Sequence, residues 1–261
     1  MNAITIDKEA LRKKYAEERD KRVRADGAAQ YVRLEAEFSE LATDPYMPIK
    51  EREPVRDHVT FAFVGGGFAG LIIGARLKEA GIDDVRIIEK GGDFGGTWYW
   101  NRYPGAQGDS ASMIYLPLLE DSGRTPSEKY AHAPEIRNHC SNIGKHFGLY
   151  EKALFHTEVN DMEWDESHKR WIVRTSRGDE FTAKYVGMGT GPLHVAKLPG
   201  IPGINDFKGK SFHTSRWDYS YTGGNPEGAP LEKLADTRVA ILGPGAHAGQ
   251  CIPHSTTAAK E

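Results

Sequence analysis

Gly65, Gly67 and Gly70 stand in GxGxxG spacing directly after an apolar run and at the mouth of a helix-patterned one. That spacing serves a diphosphate. The first glycine permits a tight turn, the second lets the backbone approach the anion, and the third lets a helix pack closely on a strand. Free N–H groups at the helix start, and the positive end of its dipole, then face the phosphates. Glu89 closes the next apolar run about twenty residues on, where a carboxylate accepts hydrogen bonds from a ribose 2′-hydroxyl and repels a 2′-phosphate. NAD or FAD is therefore expected at this site, and NADP is disfavoured there. A second string carries Gly243, Gly245 and Ala248 in GxGxxA spacing behind another apolar run. Between the two lies a block from Gly91 to Asp109 with two glycine pairs and the aromatics Trp98, Tyr99, Trp100 and Tyr103. Aromatic faces pack on a flat heterocycle as well as in an ordinary core, so this block alone serves either purpose.

The elements that must position these residues follow βαβ grammar. Strands are expected at Val59–Val64 and Asp84–Lys90, with a helix between them. A further helix is expected over Ala133–Leu149, a hairpin around Met162–Val173, and a returning strand in Phe181–Gly191. Prolines at 192, 199 and 202 announce a connector, after which Thr237–Gln250 reads as another strand, loop and helix. Ahead of all this runs a charged prelude. Its Leu11, Tyr15, Val23, Tyr31, Val32, Leu34 and Phe38 recur loosely at helical spacing, and the expectation is a solvated helical extension that packs one stripe on the domain.

Two longer strings resemble a known family. The stretch Gly95–Asp109 holds a glycine pair, Thr97, Trp98, then Tyr103, Pro104, Gly105 and Asp109. The connector holds Phe207, Gly209, His213, Trp217 and Asp218. Together they resemble the Baeyer-Villiger monooxygenases, class B flavoprotein monooxygenases, and the charged prelude is similar to that of members acting on bulky ketones. The resemblance implies an α/β, Rossmann-like flavoprotein with two dinucleotide-binding domains, the FAD domain largely present and the NADP domain truncated. It implies a charged N-terminal extension over 1–58, the FAD domain over 59–200, a connector over 201–236 and the start of the NADP-binding domain over 237–261.

By the same resemblance, Gly65, Gly67, Gly70 and Glu89 hold the adenosine diphosphate part of FAD. Gly96, Thr97, Trp98, Tyr99, Gln107, Gly108, Asp109 and Tyr115 lie near the flavin, and Val159 lies near the adenine. Gly243, Gly245, Ala248 and Gln250 belong to the NADP(H) site, and Asp109, His213 and Trp217 are the catalytic candidates. For His213 and Trp217 the implied role is coupling between domains. Family members use NADPH, FAD and O2 to convert a ketone to an ester or lactone, here a cyclic or polycyclic one. The chain departs from the pattern in two places, with Pro244 where members carry Thr or Ser and Gly108 where Cys is frequent. It also has no position matching the family's active-site arginine. Two further readings stay open, a non-catalytic flavin-fold remnant or interaction protein, and a flavin-containing N- or S-oxygenase. The latter typically carries Tyr or Phe followed by a basic residue where Trp217 and Asp218 stand.

Bulk composition narrows the partners. The chain has 261 residues, is 39% hydrophobic and 27% charged, and carries a formal net charge of −3, a balance that does not argue for a polyanionic partner. Cys140 and Cys251 are too few for a disulfide framework and suit a reducing compartment. The N-terminal string lacks the pattern of a secretory signal, and no apolar stretch is long enough to span a bilayer, so a cytoplasmic location with no nucleic-acid or membrane partner is expected.

Overall fold

The computed structural model describes residues 6–32, 34 and 36–260. The first five residues of the N-terminal string, Arg33 and Glu35 of the prelude, and Glu261 lie outside the described residues.

The chain opens with helix α1 (Lys8–Asp20) and a two-residue strand β1 (Tyr31–Val32). Strand β2 (His58–Val64) follows, then helix α2 (Phe68–Glu79) and strand β3 (Val85–Ile88). The next stretch folds as three one-turn helices, α3 (Thr97–Trp100), α4 (Ser112–Tyr115) and α5 (Leu119–Ser122), before the longer α6 (Ala133–His146). Strands β4 (Ala153–Leu154), β5 (Val159–Asp165), β6 (Arg170–Thr175), β7 (Glu180–Met188) and β8 (Leu198–Pro199) come next. Helices α7 (Tyr219–Thr222) and α8 (Ala246–Thr256) complete the described chain.

Six strands form one sheet in the order β4-β3-β2-β7-β6-β5. Its inner part is parallel, with β2 paired to β3 on one side and to β7 on the other, and β3 paired to β4. The rest is the antiparallel run β7-β6-β5, in which Met162 faces Val173 as the hairpin reading expects. The returning strand β7 lies beside β2, which puts β2 in the middle. A parallel strand covered on both faces needs apolar residues on both, and Val59, Ala62 and Phe63 are buried.

One face of the sheet meets α2 and α6. Leu71 and Ala75 from α2, Ile87 from β3, and Cys140 and Ile143 from α6 form that core with Phe94. Helix α6 suits the task because Ile136, Cys140 and Ile143 fall on one side at helical spacing and Pro134 starts it where an N–H has no helical partner. The opposite face packs Ile88 against Val173 and Phe181.

Two expectations are corrected. The prelude does form a helix, but α1 buries no residue; Leu11, Tyr15 and Val23 are all exposed. Its apolar positions are too sparse to make a stripe, and the helix is held by its Asp7 cap and by Glu18 pairing with Lys21 and Arg22. The strand expected at the start of Thr237–Gln250 is not a strand, and Leu242 is 78% exposed. Among the described residues no strand lies alongside it, and extended backbone becomes a strand only when a neighbour takes its hydrogen bonds. The helix expected after the loop is present as α8.

Candidate functional site

The turn after β2 is built as the spacing requires. Gly65 adopts φ +113°, and a Cβ there would sit 2.5 Å from the carbonyl oxygen of Gly189 at the end of β7. Gly70 admits no side chain either, since its Cβ would meet the Gly65 carbonyl oxygen at 2.1 Å. Gly67 caps α2 with no side-chain hydrogen bond, leaving the helix's first N–H groups to face outward. Gly65, Gly67 and Ala69 line a groove of about 500 Å³. Its walls also include Glu89, Gly96, Thr97, Trp98 and Tyr115, with Val159 and Met162 of the hairpin.

Glu89 is only 6% exposed, and its carboxylate accepts from the Gly66 N–H at 2.5 Å and the Gly91 N–H at 2.6 Å. Burial pushes its pKa up against the pull of those two amides. The carboxylate thus braces the glycine turn while forming part of the groove wall.

The aromatic block, open between core and cofactor wall when read from sequence, is buried and in part lines the groove. Trp98, Tyr99 and Trp100 form the single turn of α3 and are all buried. Trp98 points to the groove, where its indole N–H donates to the Tyr115 hydroxyl at 3.1 Å. Gly96 comes so close to Gly67 that a Cβ on it would lie 2.9 Å from the Gly67 Cα, so the first glycine string and the Gly95–Gly96 pair abut. Tyr99 turns inward instead. Gly108 is buried and donates its N–H to the Ala131 carbonyl, while the Gln107 side chain donates to the Tyr130 carbonyl. Asp109 is exposed just beyond.

Several site-building residues escaped sequence reasoning. Asp44 opens a linker to β2 marked by prolines at 45, 48 and 54; it accepts from the Tyr99 hydroxyl and the Gly92 N–H and lies 3.0 Å from His156 Nε2. Tyr46 reaches the Trp100 and Ser215 carbonyls, at 3.1 and 3.2 Å, and its ring lies under the Arg102 guanidinium. Arg216, from the connector, stacks on Trp100 and donates to the His194 carbonyl. These partners are separated by up to 169 residues in the chain, and no local pattern signals them.

The connector lies against this block. His213 Nδ1 accepts from the Ser215 N–H, and burial, with His247 and Arg216 nearby, pushes its pKa down to about 4. The ring is therefore neutral at pH 7. Trp217 donates its indole N–H to Thr222 and packs on Phe212. Neither residue lines the groove. In the second glycine string, Gly243 and Gly245 have nothing within 4 Å of an added Cβ, while Ala248 is buried. Gln250 turns back toward the first domain, where it bonds Tyr103 and Gln107. No group of three or more His, Cys, Asp or Glu able to hold a metal exists among the described residues.

Residues 62–224 match the family described as pyridine nucleotide-disulphide oxidoreductase. The chain belongs to that family. Within it, the chain is 54% identical over 250 residues to neopentalenolactone D synthase of Streptomyces avermitilis, an alignment covering 95% of this chain and 42% of the relative. It is 53% identical over 244 residues to a Baeyer-Villiger monooxygenase of Streptomyces coelicolor, covering 93% and 40%. Among solved structures, the polycyclic ketone monooxygenase from Thermothelomyces thermophila superposes with a TM-score of 0.87 at 38% identity, over 97% of this chain and 43% of that one. The complex of OTEMO with FAD and NADP gives 0.69 at 32% identity, over 78% and 38%. These likenesses bear out the family resemblance read from the two motifs. The chain spans about two fifths of the length of the relatives it matches.

Proposed function

We propose that the chain is the flavin-binding part of an FAD- and NADPH-dependent Baeyer-Villiger monooxygenase that acts on a cyclic or polycyclic ketone with O2. The observation that carries this reading is the groove. Its lining joins the uncapped start of α2, a buried carboxylate and an aromatic wall, the three surfaces that the diphosphate, the adenosine ribose and the flavin of one FAD need. Its volume suits a dinucleotide-sized ligand, and the crowding at Gly65 and Gly70 is what a backbone cradle for diphosphate demands. The name of one structural neighbour, a polycyclic ketone monooxygenase, supports the substrate class.

FAD, when bound, supplies the redox and oxygen chemistry; the chain's residues bind and orient it. In this reading the amides of Gly65–Gly70 hold the diphosphate and Glu89 accepts from ribose hydroxyls. Val159 flanks the adenine, and Gly96, Thr97, Trp98 and Tyr115 form the flavin's wall. Asp109 stands at the wall's outer end. His213 and Trp217 act through the connector, and Gly243, Gly245 and Ala248 serve NADP(H). The domain division at 58, 200 and 236 belongs to the same proposal. So does a cytoplasmic location, supported by two buried free cysteines; no helix among the described residues is long and apolar enough to cross a membrane.

The test is to purify the chain, add FAD and remove the excess. Retained yellow absorbance at a stoichiometry near one supports the reading, and failure to retain flavin overturns it. Ketone-dependent NADPH consumption, with an ester or lactone identified by mass, then decides whether this chain alone carries the full activity.

A further inference from the structure

Gln250 was expected in the NADP(H) site, yet its side chain is committed elsewhere. Its Oε1 accepts from the Tyr103 hydroxyl at 2.6 Å and from the Gln107 N–H at 3.4 Å. Its Nε2 donates to the Gln107 carbonyl at 2.8 Å. One side-chain amide therefore engages both backbone groups of Gln107, two residues before Asp109. The fit around it is close. A Cβ on Gly105 would lie 2.5 Å from the Gln250 carbonyl oxygen, and Cys251 beside it is fully buried against Tyr103 and Ala106. One turn earlier on the same helix, His247 packs its ring on Tyr103 and bonds the Thr214 hydroxyl of the connector. Helix α8 thus grips the 103–108 loop and the connector at once, while its N-terminus carries the second glycine string.

We propose that Gln250 is a positioning residue: by matching the backbone N–H and C=O of Gln107 it sets the place of the 103–109 loop, so that α8 as well as the first domain determines where the wall ending at Asp109 stands. A side-chain amide offers a donor and an acceptor on one carbon, which the carbonyl and N–H of a single residue require. A leucine matches its bulk and offers neither. The consequence for the flavin rests on the proposed function; the consequence for the loop does not.

Amide hydrogen exchange on the full chain, resolved by NMR or fragment mass spectrometry, tests the loop directly. In Gln250→Leu, exchange at Gln107 and Gly108 is expected to rise about tenfold while amides of β2 and β7 stay as in the parent. Gln250→Glu keeps the acceptor but loses the donor, and Tyr103→Phe removes a single bond; each should give a smaller rise confined to the same loop. These two milder variants decide the matter if the leucine variant does not fold. Unchanged exchange at Gln107 and Gly108 in folded variants overturns the proposal, as does a uniform rise across β2 and β7. With FAD added, the visible circular dichroism of the bound flavin should change in Gln250→Leu relative to the parent. Absence of flavin binding in the parent would overturn the proposed function and leave the exchange result to judge Gln250. Bound flavin with identical dichroism in both proteins would overturn the part of the proposal that reaches the wall.

Discussion

The two glycine strings share a spacing and have opposite surroundings. At the first, Gly70 is pressed against the Gly65 carbonyl, Gly65 against Gly189, and Gly96 against Gly67; every approach is made by backbone on backbone. At the second, Gly243 and Gly245 meet nothing, Leu242 ahead of them is exposed, and a cavity of about 240 Å³ lies between Val239, Ile241 and the far end of α8. The difference lies in the strand that precedes each loop. β2 is held on both sides by parallel neighbours, so its end is fixed and the turn has something to turn against. The segment before Gly243 has no such neighbours among the described residues. A GxGxx pattern therefore specifies a turn that is able to bind phosphate, and the sheet beneath it makes the turn a cradle.

The sharpest way to break this comparison is a matched pair of alanines, one near the start of each helix. Gly70→Ala places a Cβ 2.1 Å from a backbone oxygen and should cost about 2 to 3 kcal/mol, with loss of flavin retention. Gly249→Ala, in α8 with open space around it, should stabilise by about 0.5 to 1 kcal/mol. Thermal or urea melts of both report the contrast, and equal effects would refute it.

A second contrast uses acid. Asp179 is 2% exposed and forms a two-pronged ion pair with Arg52 at 2.6 Å, tying the linker to the sheet. Burial alone would raise its pKa; the pair with Arg52, helped by Thr175 and the Val55 N–H, outweighs this and holds it at about 2. Because the folded value lies below the unfolded one, near 3.8, the stabilisation is fully present above pH 4 and lost as pH falls toward 2. It amounts to about 2 kcal/mol, so Asp179→Asn should flatten the acid limb of the stability curve between those values. Unaltered acid unfolding in that variant would remove the linker from the first region's support.

A smaller effect is expected at Tyr46, whose hydroxyl reaches both Trp100 and the connector. Tyr46→Phe should cost about 1 kcal/mol and speed proteolysis within residues 207–218, measured by timed digestion. The smallest concerns Pro244, which denies the second loop an N–H and a hydroxyl. Pro244→Thr should leave stability within about 0.5 kcal/mol and tighten NADP(H) binding by up to about tenfold, read by fluorescence titration.

Local pattern carried much of the architecture. The apolar run before Gly65, the helix-spaced Ile136, Cys140 and Ile143, and the stretch read as a hairpin around Met162–Val173 all produced the expected elements. Each depends on neighbours within a few residues or on burial that the pattern itself announces. The block Gly91–Asp109 was legible as chemistry and illegible as geometry. Nothing in Trp98-Tyr99-Trp100 says that the first faces the groove and the second turns to Asp44, because a single helical turn sends them to different sides. The apolar positions of α1 and the run before Gly243 misled for a shared reason. Each carries the right residue types, but α1 buries none of them, and the run before Gly243 leaves Leu242 exposed and covers Val239 and Ile241 only in part.

By itself the sequence determined the glycine spacing, the carboxylate at the end of β3, the two family motifs and the polar character of the prelude, because these are matters of residue type and local backbone freedom. Tertiary structure alone decided that Asp44 and Tyr46 brace the aromatic block, that Gln250 bonds the 103–108 loop, and that the first glycine string lines a groove while Gly243 and Gly245 stand in open space. Those outcomes depend on which distant segments meet, and a meeting between residues more than a hundred positions apart is settled by packing of the whole chain rather than by any window along it.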